Sequence, residues 1–212
     1  MAQDRRRRDS NRSQPPFVAF DFDGTITTKD SFTTFLKWRA GPARYALGLL
    51  RLAPAALAYV FHRDRGRIKA QAVGEFLVGL TQPELEADAE AFAAEVGPQI
   101  LRPDALATWR RWRAEGARLV IVSASPSFVV APFAKRLGAD RLIATELAYD
   151  DDGRARGVFA TPNCRGPEKI VRLKAEFGDD MALKAAYGDT SGDREMLEMA
   201  DIKGYRVFRA RP

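Results

Sequence analysis

The sequence has very little thiol and imidazole chemistry. Its 212 residues include one cysteine, Cys164, and one histidine, His62. A lone cysteine cannot form an intrachain disulfide, so nothing in the chain indicates an oxidising compartment. One histidine, placed in the basic stretch His62-Arg63-Asp64-Arg65, argues against a zinc site, a Ser-His-Asp triad or a histidine-activated cysteine nucleophile. The catalytic chemistry left to this chain is that of carboxylates.

A secretory signal is not expected from the N-terminal residues. Four arginines, Arg5 to Arg8, stand near the N-terminus, but no apolar segment follows them. We therefore expect residues 1–16 to form a disordered basic tail. The alternative is a polybasic arm that rests on an anionic lipid surface.

Positive charge is in moderate excess, with 34 Lys and Arg against 28 Asp and Glu. A surplus of this sign favours anionic partners, such as phosphorylated substrates or lipid headgroups. Nucleic-acid binding is not expected, because no recognised nucleic-acid-binding module accompanies the arginines. We infer no obligate protein partner. The expected location is cytoplasmic, with peripheral attachment to the inner face of the cytoplasmic membrane if the substrate is a lipid.

Apolar runs that alternate with helical patterns predict a parallel α/β sheet. The predicted strands are 17–22, 118–122, 182–187 and a short final strand at 205–208. Helices are predicted at 104–115, 127–137, 168–177 and 193–200. A β-hairpin is predicted from arms at 142–147 and 156–159 around the turn at 150–153. Residues 30–102 have no strand signal, so we expect a helical cap inserted between core segments 17–29 and 103–212.

Polar residues follow three of these predicted strands. The three runs are Asp21-Phe22-Asp23-Gly24-Thr25, Ser123-Ala124-Ser125, and Gly188-Asp189-Thr190-Ser191-Gly192-Asp193. Because the carboxyl ends of parallel strands meet at one edge of a sheet, we expect these side chains to converge. Clustered carboxylates require a counterion, and oxygen ligands without histidine or cysteine suit Mg²⁺. The sequence therefore predicts a magnesium site at this edge.

These motifs, in this order and with Lys169 before the last, resemble the haloacid dehalogenase superfamily over residues 17–208. The insertion after the first motif resembles the helical cap of subfamily IB, the phosphoserine-phosphatase-like branch. This resemblance implies a Rossmann-like parallel sheet flanked by helices. It also implies that the protein hydrolyses phosphate monoesters through an aspartyl phosphate with Mg²⁺ as cofactor.

The resemblance also implies a role for each matching residue. Asp21 would be the nucleophile, Asp23 the general acid and base, and Lys169 the cation that offsets charge on the phosphoryl group. The residues expected to bind phosphate or substrate are Gly24, Thr25, Asp30, Ser123 and Ala124. The residues expected to hold the metal are Asp21, Asp23 (through its main-chain carbonyl), Asp189 and Asp193, the last either as a ligand or by orienting water.

Several of these residues have structural alternatives when taken singly. Asp193 could be a helix-start acid, Lys169 a solvated residue, and Ser123 a helix cap. Together these alternatives would require independent coincidences, so we favour the catalytic interpretation. Asp30 stands nine residues after Asp21, where phosphoserine phosphatases carry Glu, and no arginine partner for a substrate carboxylate is evident. This difference weakens phosphoserine as a substrate.

The cap is the part of the sequence that bears on the substrate. Residues 43–61 are apolar apart from Arg44 and Arg51. One complete membrane span is excluded, because Asp21 and Ser123 on either side of it must meet in one site. We expect an apolar cap face that contacts lipid headgroups, with Arg63, Arg65 and Arg67 beside it. The alternative is that this stretch forms the buried core of the cap.

Residues 163–169, Asn-Cys-Arg-Gly-Pro-Glu-Lys, resemble the phosphatidylglycerophosphatase C family, which implies phosphatidylglycerol phosphate as substrate. A soluble metabolite phosphatase, acting on phosphoserine or an amino-alcohol phosphate, stays as the alternative. A third reading, from another class, is a regulatory lipid-binding protein with a vestigial site. The intact catalytic set argues against that third reading.

Overall fold

A five-stranded parallel sheet forms the centre of the fold. The computed structural model describes residues 15–62 and 65–212, without the side chains of residues 54–67. The sheet strands are β1 (Phe17–Phe20), β2 (Arg118–Pro126), β3 (Arg141–Thr145), β6 (Leu183–Gly188) and β7 (Ala200–Tyr205). Their order is β3-β2-β1-β6-β7, and every neighbouring pair is parallel. The predicted Rossmann-like α/β fold is confirmed.

The described helices fall into two groups along the chain. Between β1 and β2 lie α1 (Ser31–His62), α2 (Arg65–Phe76), α3 (Gln82–Glu95), α4 (Gly97–Ile100) and α5 (Pro103–Ala114). After β2 come α6 (Ser127–Leu137), α7 (Pro167–Phe177) and α8 (Arg194–Glu198). In the described part of residues 30–102, β-type pairing is limited to two isolated bridges. One joins Thr81 to Arg154, and the other joins Leu101 to Thr27.

Alternate residues of the sheet feed two hydrophobic clusters, one on each face. Val18 and Phe20 belong to a cluster that also contains Trp109 of α5 and Phe133 of α6. Phe17, next to them in the chain, belongs to the other cluster. That second cluster also contains Leu173 of α7 and Met196 of α8. Because strand side chains alternate between faces, β1 is buried on both sides, as its continuous apolar run predicts.

A two-stranded antiparallel hairpin, β4 (Leu147–Tyr149) and β5 (Ala155–Phe159), lies outside the main sheet. Its backbone exchanges hydrogen bonds with the α2–α3 connection: Gly79 N donates to Ala155 O (2.9 Å) and Ala155 N donates to Leu80 O (2.8 Å). The prediction that residues 142–147 form its first arm is wrong. Most of that run belongs to β3, which pairs with β2, because a right-handed crossover through α6 returns the chain to the sheet.

The final strand also differs from the prediction of 205–208. It runs from Ala200 to Tyr205, so the helix predicted to reach Ala200 ends at Glu198. Ile202 on this edge strand is exposed, so the strand lacks the apolar run by which the others are recognised. It stops before Arg206, whose φ of 52° turns the backbone out of the extended conformation.

Some sequence predictions fall outside the described residues. They concern nearly all of the basic tail at 1–16 and the side chains of Arg63, Arg65 and Arg67. Among the helices that are described, none combines the length and apolarity needed to cross a membrane.

Candidate active site

The first motif is fixed at the edge of the sheet by its backbone. Asp21 follows β1 and its N–H donates to the carbonyl of Tyr187 on β6 (2.9 Å). Residues Phe22–Ile26 then form a kinked turn, in which Gly24 has a φ of 80°. A Cβ atom at Gly24 would lie 2.3 Å from Oδ2 of Asp189. The turn therefore requires glycine for both its conformation and its close approach to the last motif.

Lys169 connects three segments of the site. It lies in the first turn of α7 and is almost completely buried, with 1% of its surface exposed. Its ammonium group donates to Oδ1 of Asp21, Oδ1 of Asp193 and the carbonyl of Val122, each at 2.7 Å. All three donors of the ammonium are thus used. This arrangement fixes the position of the Asp21 carboxylate relative to β2 and to the loop that follows β6.

Asp193 is committed to holding the last motif in place. Its Oδ2 accepts hydrogen bonds from the N–H of Asp189 (3.2 Å), the N–H of Thr190 (2.9 Å) and the hydroxyl of Thr190 (3.0 Å), while Oδ1 accepts from Lys169. Asp193 was predicted to bind the metal or to orient its waters, and these contacts point to a further role, holding the protein groups of the site in position.

The arrangement of the carboxylates fits a divalent cation. Asp21, Asp189 and Asp193 each place a carboxylate oxygen within 4.8 Å of the others. Oδ1 of Asp189 is buried and has no hydrogen-bond partner among the described residues. A buried carboxylate oxygen without a partner is costly unless a cation binds it. Asp21 and Asp189 are therefore the side chains best placed to hold a divalent cation.

Burial and mutual repulsion shift the proton affinities of these acids. Burial raises the pKa of Asp21 to about 7, Lys169 opposes this shift, and Asp193 adds to it. Burial and the nearby charge of Asp193 raise the pKa of Asp189 as well. Burial would raise the pKa of Asp193 too, but the charge and hydrogen bond of Lys169 hold it below its usual range. A cation between Asp21 and Asp189 would relieve this repulsion.

Asp23 is held by the start of α1 and by the second motif. Its Oδ1 accepts from the N–H of Ser31 (2.7 Å), and its Oδ2 accepts from the hydroxyl of Ser125. Burial, and next the charge of Asp30, raise its pKa, while Lys69 lowers it. A carboxyl group with a raised pKa is suited to protonate a leaving oxygen near neutral pH.

These groups share one cavity of about 260 Å³. Most of the predicted site residues line it, and they are Asp21, Asp23, Gly24, Asp30, Ala124, Lys169, Asp189 and Asp193. Thr25 and Ser123 are buried beside it. The Thr25 hydroxyl donates to Oδ2 of Asp21 (3.2 Å), and Oγ of Ser123 accepts from the N–H of Ser125 (3.1 Å).

The cavity wall also contains polar residues that the sequence did not single out. The most consequential is Lys69 of α2, whose ammonium lies 3.3 Å from Oγ of Ser125 and 3.7 Å from Oδ2 of Asp30. No local pattern distinguishes Lys69 from the other cap cations, because its position depends on how α2 packs. Asn163 and Arg165 also line the wall; both lie in the segment 163–169 quoted for its resemblance, although neither was assigned a role.

Comparison with known proteins identifies the family of this chain. A family model described as haloacid dehalogenase-like hydrolase matches residues 18–198. The chain belongs to this family. The predicted superfamily is therefore confirmed, and the protein is an enzyme of the hydrolase class.

The chain is also similar to individual proteins. Protein CicA of Caulobacter vibrioides is 60% identical over 199 residues, which cover 94% of this chain and 89% of CicA. A crystal structure of a Bordetella pertussis Tohama I protein, titled as having unknown function, has a TM-score of 0.72 at 26% identity and covers 88% of this chain and 87% of its own. A substrate-bound phosphoserine phosphatase has a TM-score of 0.60 at 17% identity, with 89% and 84% covered, and thus shares the fold.

Proposed function

We propose that this hydrolase cleaves phosphate monoesters through a phosphorylated Asp21, with Mg²⁺ as its cofactor. The observation that carries the proposal is the shared cavity, in which Asp21 is fixed by Lys169 at 2.7 Å and Asp23 stands two residues away in a separate hydrogen-bond network. One carboxylate is thus held as a nucleophile beside a cation. The other has the raised pKa that a general acid needs.

The reaction follows from these positions in two steps. In the first, a carboxylate oxygen of Asp21 forms a bond to phosphorus as the ester P–O bond breaks, and Asp23 gives its proton to the leaving alcohol oxygen. In the second, Asp23 takes a proton from water, whose oxygen attacks phosphorus and releases inorganic phosphate and Asp21. Lys169 offsets negative charge in both steps, which is the main demand of phosphoryl transfer.

Magnesium, held by Asp21 and Asp189 together with the main-chain carbonyl of Asp23, would supply further positive charge to the phosphoryl oxygens. Asp193 would keep the Asp189 loop in place through its three contacts there. Asp21 and Asp23 therefore take part in the reaction, whereas Asp193 positions the groups around them.

Metal removal tests this proposal. Treatment with EDTA should abolish phosphate release from a small ester such as p-nitrophenyl phosphate, and added Mg²⁺ should restore it, because the carboxylate cluster then regains its counterion. The measurement is phosphate release at fixed substrate. Full activity in EDTA would contradict the metal assignment, and no activity with any soluble or lipid monoester in Mg²⁺ would contradict the reaction.

For the substrate, we propose the phosphate headgroup of a membrane lipid such as phosphatidylglycerol phosphate. The support comes from α1, where three leucines of the apolar cap segment are exposed instead of packed: Leu47 (45%), Leu49 (49%) and Leu50 (71%). The nearby Arg44 and Arg51 are both paired with Glu75 of α2 (2.7 and 3.2 Å). The local surface is therefore more apolar than its charges suggest, as an interfacial helix requires.

Replacing Leu49 and Leu50 by Glu should weaken binding to vesicles of phosphatidylglycerol and phosphatidylcholine by about tenfold or more, since each leucine contributes roughly 1.5–3 kcal/mol when buried in an apolar phase. Hydrolysis of p-nitrophenyl phosphate should be unchanged. The matched control is Val171→Glu/Ile202→Glu, which changes two exposed apolar residues on α7 and β7, away from α1 in the sequence. Equal vesicle binding by both double variants would contradict the lipid proposal.

A second substrate class is favoured by one contact in the cavity. Lys69 and Asp30 place opposite charges 3.7 Å apart on its wall. This arrangement complements the zwitterionic serine, and its acid complements the ammonium group of an amino alcohol. Phosphate release from phosphatidylglycerol phosphate in mixed micelles, compared with phosphoserine and phosphoethanolamine, separates the two classes. Preference for phosphoserine or phosphoethanolamine would be consistent with the proposed mechanism and would contradict the lipid as the substrate.

A further inference from the structure

Four arginines surround a second cavity at the same edge of the sheet. It has a volume of about 460 Å³ and is lined by Arg102, Arg206, Phe208, Arg209, Arg211, Gly24 and Asp189. The last two residues also line the catalytic cavity, so the two cavities adjoin there. None of the arginines belongs to the predicted catalytic set, and the proposed reaction leaves this cavity without a role.

The positive charge of this cavity is poorly compensated. Arginines elsewhere, such as Arg39 and Arg113, form salt bridges with carboxylates, but none of these four does so with any residue that the structure describes. Asp189 is the acid on the wall. Asp104 lies nearby, where its Oδ2 accepts the main-chain N–H of Arg209 (2.6 Å). Four arginines thus line a cavity with one carboxylate on its wall, a surplus of positive charge that an anion would offset.

Two of the guanidinium groups are held in place by the backbone. Arg102 donates through Nε to the carbonyl of Thr27 (3.2 Å) and through Nη1 to that of Ala210 (3.1 Å). Arg206 donates through Nε to the carbonyl of Asp189 (2.6 Å), and its terminal nitrogens have no hydrogen bond to the described residues. It is also the one described non-glycine residue with positive φ, a strained state that the surrounding structure must maintain.

We propose that this arginine cavity binds a phosphate-bearing anion, separately from the catalytic cavity. Planar guanidinium groups offer paired N–H donors that match the oxygens of a phosphate or phosphodiester, and the pre-positioned Arg102 and Arg206 lose little freedom on binding. The anion comes either from solution, as a free phosphate, or from the headgroup of an anionic lipid. Both sources present the same chemistry to the four arginines.

The test uses tripolyphosphate, titrated calorimetrically into metal-free protein at low ionic strength. Arg5 to Arg8 are replaced by Gln in every protein compared, so that the N-terminal run cannot bind the probe. Arg209→Ala/Arg211→Ala should then weaken binding by about tenfold or more, because two charge-assisted contacts are lost. The matched control, Arg110→Ala/Arg156→Ala, removes the same charge from two exposed positions elsewhere and should bind within about twofold of the parent.

Equal weakening in both double variants would show attraction by net charge alone and would overturn the proposal, as would the absence of tripolyphosphate binding to the parent. Thermal unfolding of each variant checks that the fold is retained. Vesicles of phosphatidylglycerol distinguish the sources. Weaker vesicle binding by Arg209→Ala/Arg211→Ala than by the control assigns the cavity to a lipid headgroup, and equal vesicle binding with selective loss of tripolyphosphate assigns it to a soluble phosphate.

Discussion

Replacing Asp21 by Asn should lower kcat by on the order of 10⁴- to 10⁶-fold, the range expected when a covalent nucleophile is removed. An amide is uncharged and a poor nucleophile, so no aspartyl phosphate can form. The substitution preserves size, and the amide oxygen can still accept the hydrogen bond that Lys169 now donates to the carboxylate at 2.7 Å. The fold should therefore survive while turnover is lost.

Two measurements separate this catalytic effect from damage to the structure. Phosphate release gives kcat, and trapping with radiolabelled substrate should show phosphorylated protein for the parent and none for the variant. The matched control is Asp140→Asn, which changes an acid that pairs with Arg113 at the surface, outside the cavity. Substantial residual turnover by Asp21→Asn would remove Asp21 as the nucleophile.

The same variant should change how stability depends on pH. Burial raises the pKa of Asp21 to about 7 from an ordinary value of 3.8, so the native state retains a proton that the unfolded chain has already released. The metal-free protein should therefore lose stability as pH rises between these two values. Asp21→Asn should flatten part of this decline, measured as the unfolding free energy in urea at several pH values. An unchanged slope would contradict the pKa shift.

Lys169→Met should lower both activity and stability. The substitution keeps a long unbranched side chain but leaves Asp21 and Asp193 buried without their common cation. Breaking a buried ion pair by removing one partner costs about 3–5 kcal/mol of unfolding free energy. Activity should fall by at least about 100-fold, because a fixed positive charge beside the transferring phosphoryl group is lost.

The measurements are urea unfolding and kcat with saturating Mg²⁺. Lys174→Met is the matched control, since it changes a lysine of the same helix whose partner, Asp179, is at the surface. It should alter the unfolding free energy by less than about 1 kcal/mol and leave kcat unchanged. A Lys169→Met protein as stable and active as this control would show that Lys169 has neither role.

The sequence was most informative where local chemistry and local structure agree. The apolar run of β1 ends in Asp21 and Asp23, and that pattern alone predicts a buried parallel strand with acids at its carboxyl end. It was least informative at the sheet edges. There Ile202 is exposed and residues 142–145 look like a hairpin arm, because strand pairing is set by contacts distant in the chain.

By itself, then, the sequence determined the family and the parallel sheet, and it predicted the acids of the site because three motifs place them at strand ends. The role of Lys169 came from the family resemblance alone. Only the tertiary structure placed Lys69 in the cavity, committed Asp193 to the Asp189 loop and brought four arginines around a second cavity. These features depend on how separate helices and loops pack. The orientation and the burial of a side chain depend on its neighbours in space, and the spacing of residues along the chain does not encode them.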